Sequence, residues 1–242
     1  MLKKNDEVIL NIEDLGSCME GVARHEGLVI FVPFALPGEK IRAKLVQVKK
    51  DFAYAKLLEI LEASEYRLEP RCRHFYKCGG CALLHLDYKK GLEYKRNAVY
   101  SSYKKIAHEE LRDFDIEGLK NPFEYRSKAA FPIQEKDGIL TIGYYQKRSH
   151  RLTEIEECPI LDSGILKIAQ KFIELANSQK LSAYDENTGR GLLRHILIRR
   201  SPLSKALVHI VINAKAFPKG KELAKSLALS FPEITSISYS IN

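Results

Sequence analysis

The sequence predicts an α+β protein in which a small closed β-barrel precedes a larger domain of mixed strands and helices. Three observations carry that expectation: period-2 alternation through the first sixty residues, helical stripes further on, and a cysteine cluster between them. In "DEVILNI", Val8, Leu10 and Ile12 alternate with Glu7, Ile9 and Asn11, the pattern of a half-buried strand. "GLVIFVPFALPGE" reads as a buried apolar strand ended by the turn pair Pro37-Gly38. In "EKIRAKLVQVKK", Ile41, Ala43 and Leu45 face in while Arg42 and Lys44 face out. "DFAYAKLLEIL" then sets Ala53, Ala55 and Leu57 on one face and Phe52, Tyr54 and Lys56 on the other. Several short strands with turns between them suggest a barrel of the oligonucleotide-binding type over residues 1–65. The outward Phe52, Tyr54 and Lys56 follow Lys49 and Lys50, so rings that stack on bases sit beside ammonium groups that hold phosphates.

Residues 66–242 form the expected second domain. "LDYKKGLEYKRNAVYSSYKKIAH" reads as a helix over 87–107, capped by Asp87, with Leu92, Val99, Tyr103 and Ile106 on one stripe. Strands follow at "SKAAFPI", "ILTIGYYQ" and "SHRLTEI". A helix at "SGILKIAQKFIELANSQ" places Ile165, Ala169, Phe172 and Ala176 on one face, opened by Asp162 or Ser163. The strands "LLRHILIRR" and "KALVHIVINA", a helix through "KELAKSLALSF" and a strand "TSISYSI" complete the pattern. Arg194, Arg199 and Arg200 give the first of these strands fixed charges suited to phosphate. "NTGRGLLRH" has two glycines, but they precede a strand and so do not form a nucleotide loop.

A formal charge of +8 favours a polyanionic partner, nucleic acid being the commonest. No run approaches the roughly 18 apolar residues that a membrane span requires. The start "MLKKNDEVIL" turns into a strand pattern rather than a signal peptide, so the expected compartment is the cytoplasm, where thiols stay reduced.

Three of the five cysteines, Cys72, Cys78 and Cys81, lie in "CRHFYKCGGC" with spacing C-x5-C-x2-C. A fourth thiolate is needed to close an all-cysteine zinc site or a cubane iron–sulfur cluster, and Cys158, followed by Pro159, is the best candidate. Cys18 is left free. Gly79 and Gly80 suit a tight turn with left-handed backbone, and they allow N–H groups to approach sulfur. Spacing alone leaves three readings open: an iron–sulfur cluster, a zinc site that uses His74 or His85, or a redox pair of Cys78 and Cys81.

"EGVAR", "FVPFALPGEK", "YRLEPRCRHFYKCGGCALLHLDY", "NPFEYRSKAAFPI", "SHRLTEIEECPIL" and "TGRGLLRHILIRR" occur in an order that resembles the bacterial 23S rRNA (uracil-5-)-methyltransferases. The resemblance runs through nearly all of the chain and matches the N-terminal part of that family. It implies a TRAM barrel, then a mixed α/β RNA-binding domain with a [4Fe-4S] cluster on Cys72, Cys78, Cys81 and Cys158. It also implies S-adenosylmethionine as methyl donor and 5-methyluridine in 23S rRNA as product. The family's "DPPR"-type catalytic loop and a glycine-rich cofactor turn are not found, so the Rossmann-like catalytic domain is expected to be absent from this chain. No catalytic or S-adenosylmethionine-binding residue is therefore assigned, and the chain, ending at Asn242 on a strand, is expected to be inactive alone. The alternative is a stand-alone TRAM and metal-cluster module that binds RNA without catalysis. The resemblance also implies that the helix 87–107 packs on the catalytic domain, so its stripe is expected to be partly uncovered here and to promote self-association. For RNA contacts the expected residues are Arg126 and Lys128 in "YRSK", Arg148 and His150 in "KRSH", and Arg194 and His195 in "LLRH".

Overall fold

The alternating positions of the first sixty residues become six strands of one curled sheet. These are β1 (Glu7–Asn11), β2 (Asp14–Leu15), β3 (Gly21–His25), β4 (Leu28–Val32), β5 (Lys40–Val48) and β6 (Phe52–Glu62), ordered β1-β5-β6-β4-β3-β2. The strands at the two ends of that order follow one another in the chain through Ile12 and Glu13, so the sheet closes on itself. Ile12 N–H donates to the Glu39 carbonyl and Glu13 N–H to the Val22 carbonyl across that join. Val8, Leu10, Ile12, Ile41, Ala43, Leu45, Ala53 and Ala55 fill the interior as their spacing predicts, with Ala23, Ile30, Val32 and Ala35. Small residues on β6 suit the narrow lumen of so short a barrel. The apolar run after Gly27 is a strand only to Val32; Phe34 takes a positive φ of 68° and turns the chain before the buried Ala35 and Leu36.

The computed structural model describes every residue except Met1 and Arg112. They fall into two compact units: Lys77–Gly80 with Lys120–Asn242, and the remaining described residues up to Leu119. The first-described barrel therefore shares its unit with residues beyond 65. Glu39, with a fully buried side chain, accepts from Leu36 N–H at 2.8 Å and from Arg67 Nη2 at 2.9 Å. Arg67 Nη2 also donates to the Phe34 carbonyl at 2.7 Å, and His85 Nε2 lies 3.1 Å from that same oxygen. In this unit α1 (Tyr88–Ala107) starts where Asp87 accepts from Lys90 N–H, and His108 ends it in left-handed backbone. Along its apolar stripe Val99 is 54% exposed and Ile106 78% exposed.

The second unit is a six-stranded sheet ordered β12-β11-β10-β7-β8-β9. Its strands are β7 (Lys128–Lys136), β8 (Ile139–Tyr145), β9 (Leu152–Glu154), β10 (Leu193–Arg200), β11 (Ala206–Ile212) and β12 (Ile234–Ile241). All neighbours are antiparallel except β11 and β12, whose parallel pairing requires the crossover helix α3 (Gly220–Ser230). The other helix, α2 (Ser163–Ser178), buries Ile165, Ala169, Phe172 and Ala176 in one core with Phe131, Leu140, Ile196 and Ile210 of the sheet. Asp162 caps α2 by accepting from Gly164 N–H at 2.9 Å, and the same carboxylate takes Arg200 Nη1 at 2.9 Å on both oxygens. Arg200, suited to phosphate by its sequence context, is thus committed to a helix start.

Candidate nucleic-acid interface

One irregularity on β10 builds a cleft in the second unit. Leu193 pairs with Ile212 of β11 but His195 pairs with Val211, so Arg194 is an extra, unpaired residue. Strict alternation from the buried Leu193 would send His195 inward; the bulge instead leaves both Arg194 and His195 half-exposed and restores burial at Ile196. Bulges re-aim side chains in this way. Both residues line a cleft of about 710 Å3 together with Tyr145, His150, Tyr184, Glu186 and Gly191, among others.

The wall opposite β10 is the segment that ends in "NTGRG". Asp185 N–H donates to the Arg190 carbonyl, and the Asp185 carboxylate accepts from Asn187 N–H and Thr188 Oγ1. Those bonds hold Asp185 below the usual carboxylate range, the Asn187 N–H contributing most. Gly191 takes φ +102°, and a Cβ there would lie 1.8 Å from the Ala183 carbonyl oxygen, so only glycine fits. Its two glycines do precede β10, as expected, and the segment serves as a cleft wall.

Within the cleft the Arg194 guanidinium lies over the Tyr184 ring at 4.2 Å, a cation–π stack. Arg194 Nε is buried and has no hydrogen-bond partner. Tyr145 and His150 form a second ring pair at 5.6 Å, and His150 Nδ1 is 3.5 Å from Glu186 Oε2. Burial, reinforced by the Arg194 charge and opposed by Glu186, holds His195 below the ordinary histidine value. The unfolded chain then binds more protons at this site than the folded one, so the penalty is absent above about pH 6.5 and grows as pH falls through that value. The thermal midpoint is expected to drop between pH 7 and pH 5, and His195→Gln to flatten that drop. An equal slope in the variant would remove His195 as its source.

A second surface sits on the barrel, in the other unit. Phe52 and Tyr54 of β6 lie outward with ring centroids 5.7 Å apart, and Phe31 of β4 joins them at 6.3 and 5.5 Å. Lys56 stands opposite Lys44 across the β5–β6 pair. Phe31 is not singled out by the sequence, because its run reads as uniformly buried; only the parallel pairing of β4 with β6 puts it beside Tyr54.

The cysteines divide between the units. In the second, Cys78 Sγ accepts Gly80 N–H at 3.3 Å, the backbone approach to sulfur that glycine allows. Neither Gly79 nor Gly80 has the expected left-handed backbone. Gly79 is needed for closeness instead, since a Cβ there would meet the Tyr145 carbonyl oxygen at 2.5 Å. Burial pushes the Tyr144 hydroxyl up to about 12, with Cys158 and Cys78 adding to the rise and Arg126 opposing it. Cys78 and Cys158 thus both act on the Tyr144 hydroxyl electrostatically, and Arg126 Nη2 donates to the Gly80 carbonyl at 3.2 Å. Cys72 and Cys81 lie in the other unit. Among the described residues no group of three or more His, Cys, Asp or Glu is placed to hold a metal ion.

Of the other residues expected to touch RNA, Arg126 stands beside the Cys78 loop and Lys128 opposite Arg199 on the β7–β10 pair. Arg148 has φ +56° in the turn before His150 and is exposed. The structure brings His150, Arg194 and His195 into one cleft and leaves these three outside its lining.

Residues 3–58 match the TRAM domain. The whole chain is 38% identical to an uncharacterised RNA methyltransferase of Oceanobacillus iheyensis and 36% identical to one of Clostridium acetobutylicum. The chain is therefore similar to RNA methyltransferases along its whole length, and its first part matches the TRAM domain. It spans about half the length of these relatives, 53% of each. The Pyrococcus abyssi tRNA (uracil-54, C5)-methyltransferase, solved with S-adenosyl-L-homocysteine, shares the fold of this chain with a TM-score of 0.67 at 23% identity. That likeness covers 89% of this chain and 48% of the other.

These findings correct three expectations. A Rossmann-like catalytic domain absent from the chain, and inactivity of the chain alone, do not stand against whole-chain similarity to RNA methyltransferases and a fold shared with that solved structure over 89% of this chain. The stand-alone RNA-binding module without catalysis falls on the same ground. All three rest on motifs not found, and a missing local motif says nothing about how non-local strands such as β11 and β12 are paired. Among the described residues no helix is long and apolar enough to cross a membrane.

Proposed function

We propose that the chain serves S-adenosylmethionine-dependent methylation of RNA at a uracil C5, with 23S rRNA as the substrate to test first and the cytoplasm as its compartment. The single observation that carries this reading is 36–38% identity to RNA methyltransferases along the entire chain. The cleft and the barrel's ring surface support it chemically. Arginine and aromatic faces suit unpaired bases, and lysines beside rings suit a single strand's phosphates. In this reading Phe52, Tyr54 and Lys56 of the barrel, and Arg126, Lys128, Arg148, His150, Arg194 and His195 of the second unit, contact RNA. S-adenosylmethionine supplies the methyl group; no residue is assigned to it, because among the described residues no glycine-rich strand-to-helix turn is found. The exposed Val99, Tyr103 and Ile106 of α1 support self-association as the further partner reading.

The test is made in the cell of origin, by replacing the Arg194 codon with one for glutamine and mapping modified uridines in rRNA and tRNA. One 5-methyluridine should fall in stoichiometry by about tenfold or more, the usual cost of a lost charge-assisted contact. Unchanged modification of every uridine on deletion of the whole gene would sink the proposal.

A [4Fe-4S] cluster held by Cys72, Cys78, Cys81 and Cys158 belongs to the same proposal, supported by their spacing and by Pro159 after Cys158. The chemistry of the donors in the second unit fits: the Cys78 and Cys158 thiols both act on the Tyr144 hydroxyl, and Cys78 Sγ accepts a backbone N–H, as cluster sulfurs do. Anaerobically purified protein should be brown, with matched iron and sulfide, and Cys158→Ser should abolish both. Stoichiometric zinc in a colourless protein would replace the cluster with a zinc site.

A further inference from the structure

The cleft of the second unit is lined by carboxylates as well as cations, and that balance narrows what it can hold. Glu135, Asp185 and Glu186 all line it, facing only Arg190 and Arg194 among the permanently charged bases. A phosphate would meet three like charges there. A neutral planar group would meet none of that cost, and it would find what planar groups need. Tyr184 and Arg194 offer a stacked platform at 4.2 Å, and the Tyr145–His150 pair a second ring surface. Donors and acceptors are mixed around it: Gln134, Asn187, Thr188 and His195 all line the cleft. Arg194 Nε, buried and unpartnered, is a donor that a ring carbonyl or ring nitrogen would satisfy.

The volume agrees: about 710 Å3 lies inside the range of pockets that enclose a small ligand. Elsewhere in the molecule the surfaces are different in kind. The barrel's three-ring face is open and flanked by lysines, suited to a strand passing over it rather than to one enclosed ring. The turn that carries His150 also carries Lys147, Arg148 and Arg151, placing cations next in the chain to a residue of the cleft. The backbone of an RNA strand has charges to follow at that turn while a single base leaves the stack.

We infer that this cleft is a base pocket, which takes one unpaired nucleobase of the bound RNA between the Tyr184–Arg194 stack and the Tyr145–His150 pair. The bulge at Arg194 is the device that makes it, since without the extra residue Arg194 and His195 could not both face the cleft. The inference rests on RNA being the substrate class and adds where, and by which groups, one base is held.

The experiment uses the full chain and an unstructured twelve-nucleotide RNA carrying 2-aminopurine at one internal position, with the same strand made abasic there. Wild-type protein should change the 2-aminopurine emission on binding and should bind the abasic strand about five- to a hundredfold more weakly, the loss expected for one base–aromatic stack. Tyr184→Ala and Arg194→Gln should each abolish the emission change and bind the two strands alike. The abasic comparison on wild-type protein needs no variant to fold. Equal binding of both strands, with no emission change, would overturn the base pocket while leaving RNA as the partner. No binding of either strand would overturn the RNA reading itself, and the base pocket with it.

Discussion

Replacing Glu39 with alanine is expected to lower the stability of the chain by about 3–5 kcal/mol, the cost of removing one partner from a buried ion pair. The side chain of Glu39 is fully buried and that of Arg67 is 13% exposed, so the guanidinium left behind has little water to turn to. The loss extends past the pair. Leu36 N–H, also buried, loses the Glu39 carboxylate as its acceptor. Arg67 in turn would keep only the Phe34 carbonyl, at 2.7 Å. Urea unfolding of the variant measures the effect directly; a change below about 1 kcal/mol would place this pair with ordinary surface bridges. The double variant Glu39→Leu, Arg67→Met separates charge from scaffolding. It removes both charges at once, and a pair exchanged for apolar groups of similar volume often costs nothing. Here it should recover only part of the loss, because the Leu36 N–H stays unsatisfied in either variant.

Gly191→Ala should cost about as much, and it should take the cleft with it. At φ +102° an alanine is strained, by roughly 1–3 kcal/mol at such a backbone position. The methyl group would also sit 1.8 Å from the Ala183 carbonyl oxygen, a distance that backbone movement alone can relieve. Strand β10 starts two residues on, and the Ala183–Leu193 bridge anchors both walls, so movement here displaces Tyr184 and Arg194 together. The summed loss is expected near 3–5 kcal/mol, strain and overcrowding added. Gly189 is the control: its φ of +68° is left-handed but nothing lies within 4 Å of an added Cβ. Gly189→Asn should therefore cost less than about 1 kcal/mol, since asparagine tolerates that backbone. Comparable unfolding midpoints for the two variants would show that close approach at Gly191 does not matter.

The sequence by itself determined what short-range periodicity controls. Val8, Leu10 and Ile12, Ile41, Ala43 and Leu45, and the α2 face of Ile165, Ala169, Phe172 and Ala176 are all core, because a two-residue or 3.6-residue period assigns a face wherever one side is buried. Asp87 and Asp162 cap their helices for an equally local reason: a side-chain oxygen reaching an N–H two or three residues on. Tertiary structure decided what depends on a strand's neighbour. Phe31 joins Phe52 and Tyr54 only through the parallel β4–β6 pairing. Arg200 is withdrawn from any phosphate by Asp162, which lies 38 residues away. The cleft exists because one residue of β10 has no partner on β11, which moves two consecutive side chains to the same side. A bulge is a mismatch between two strands, so neither strand's own residues announce it. Local spacing fixes which way a side chain points, and only the pairing of distant segments fixes what it points at.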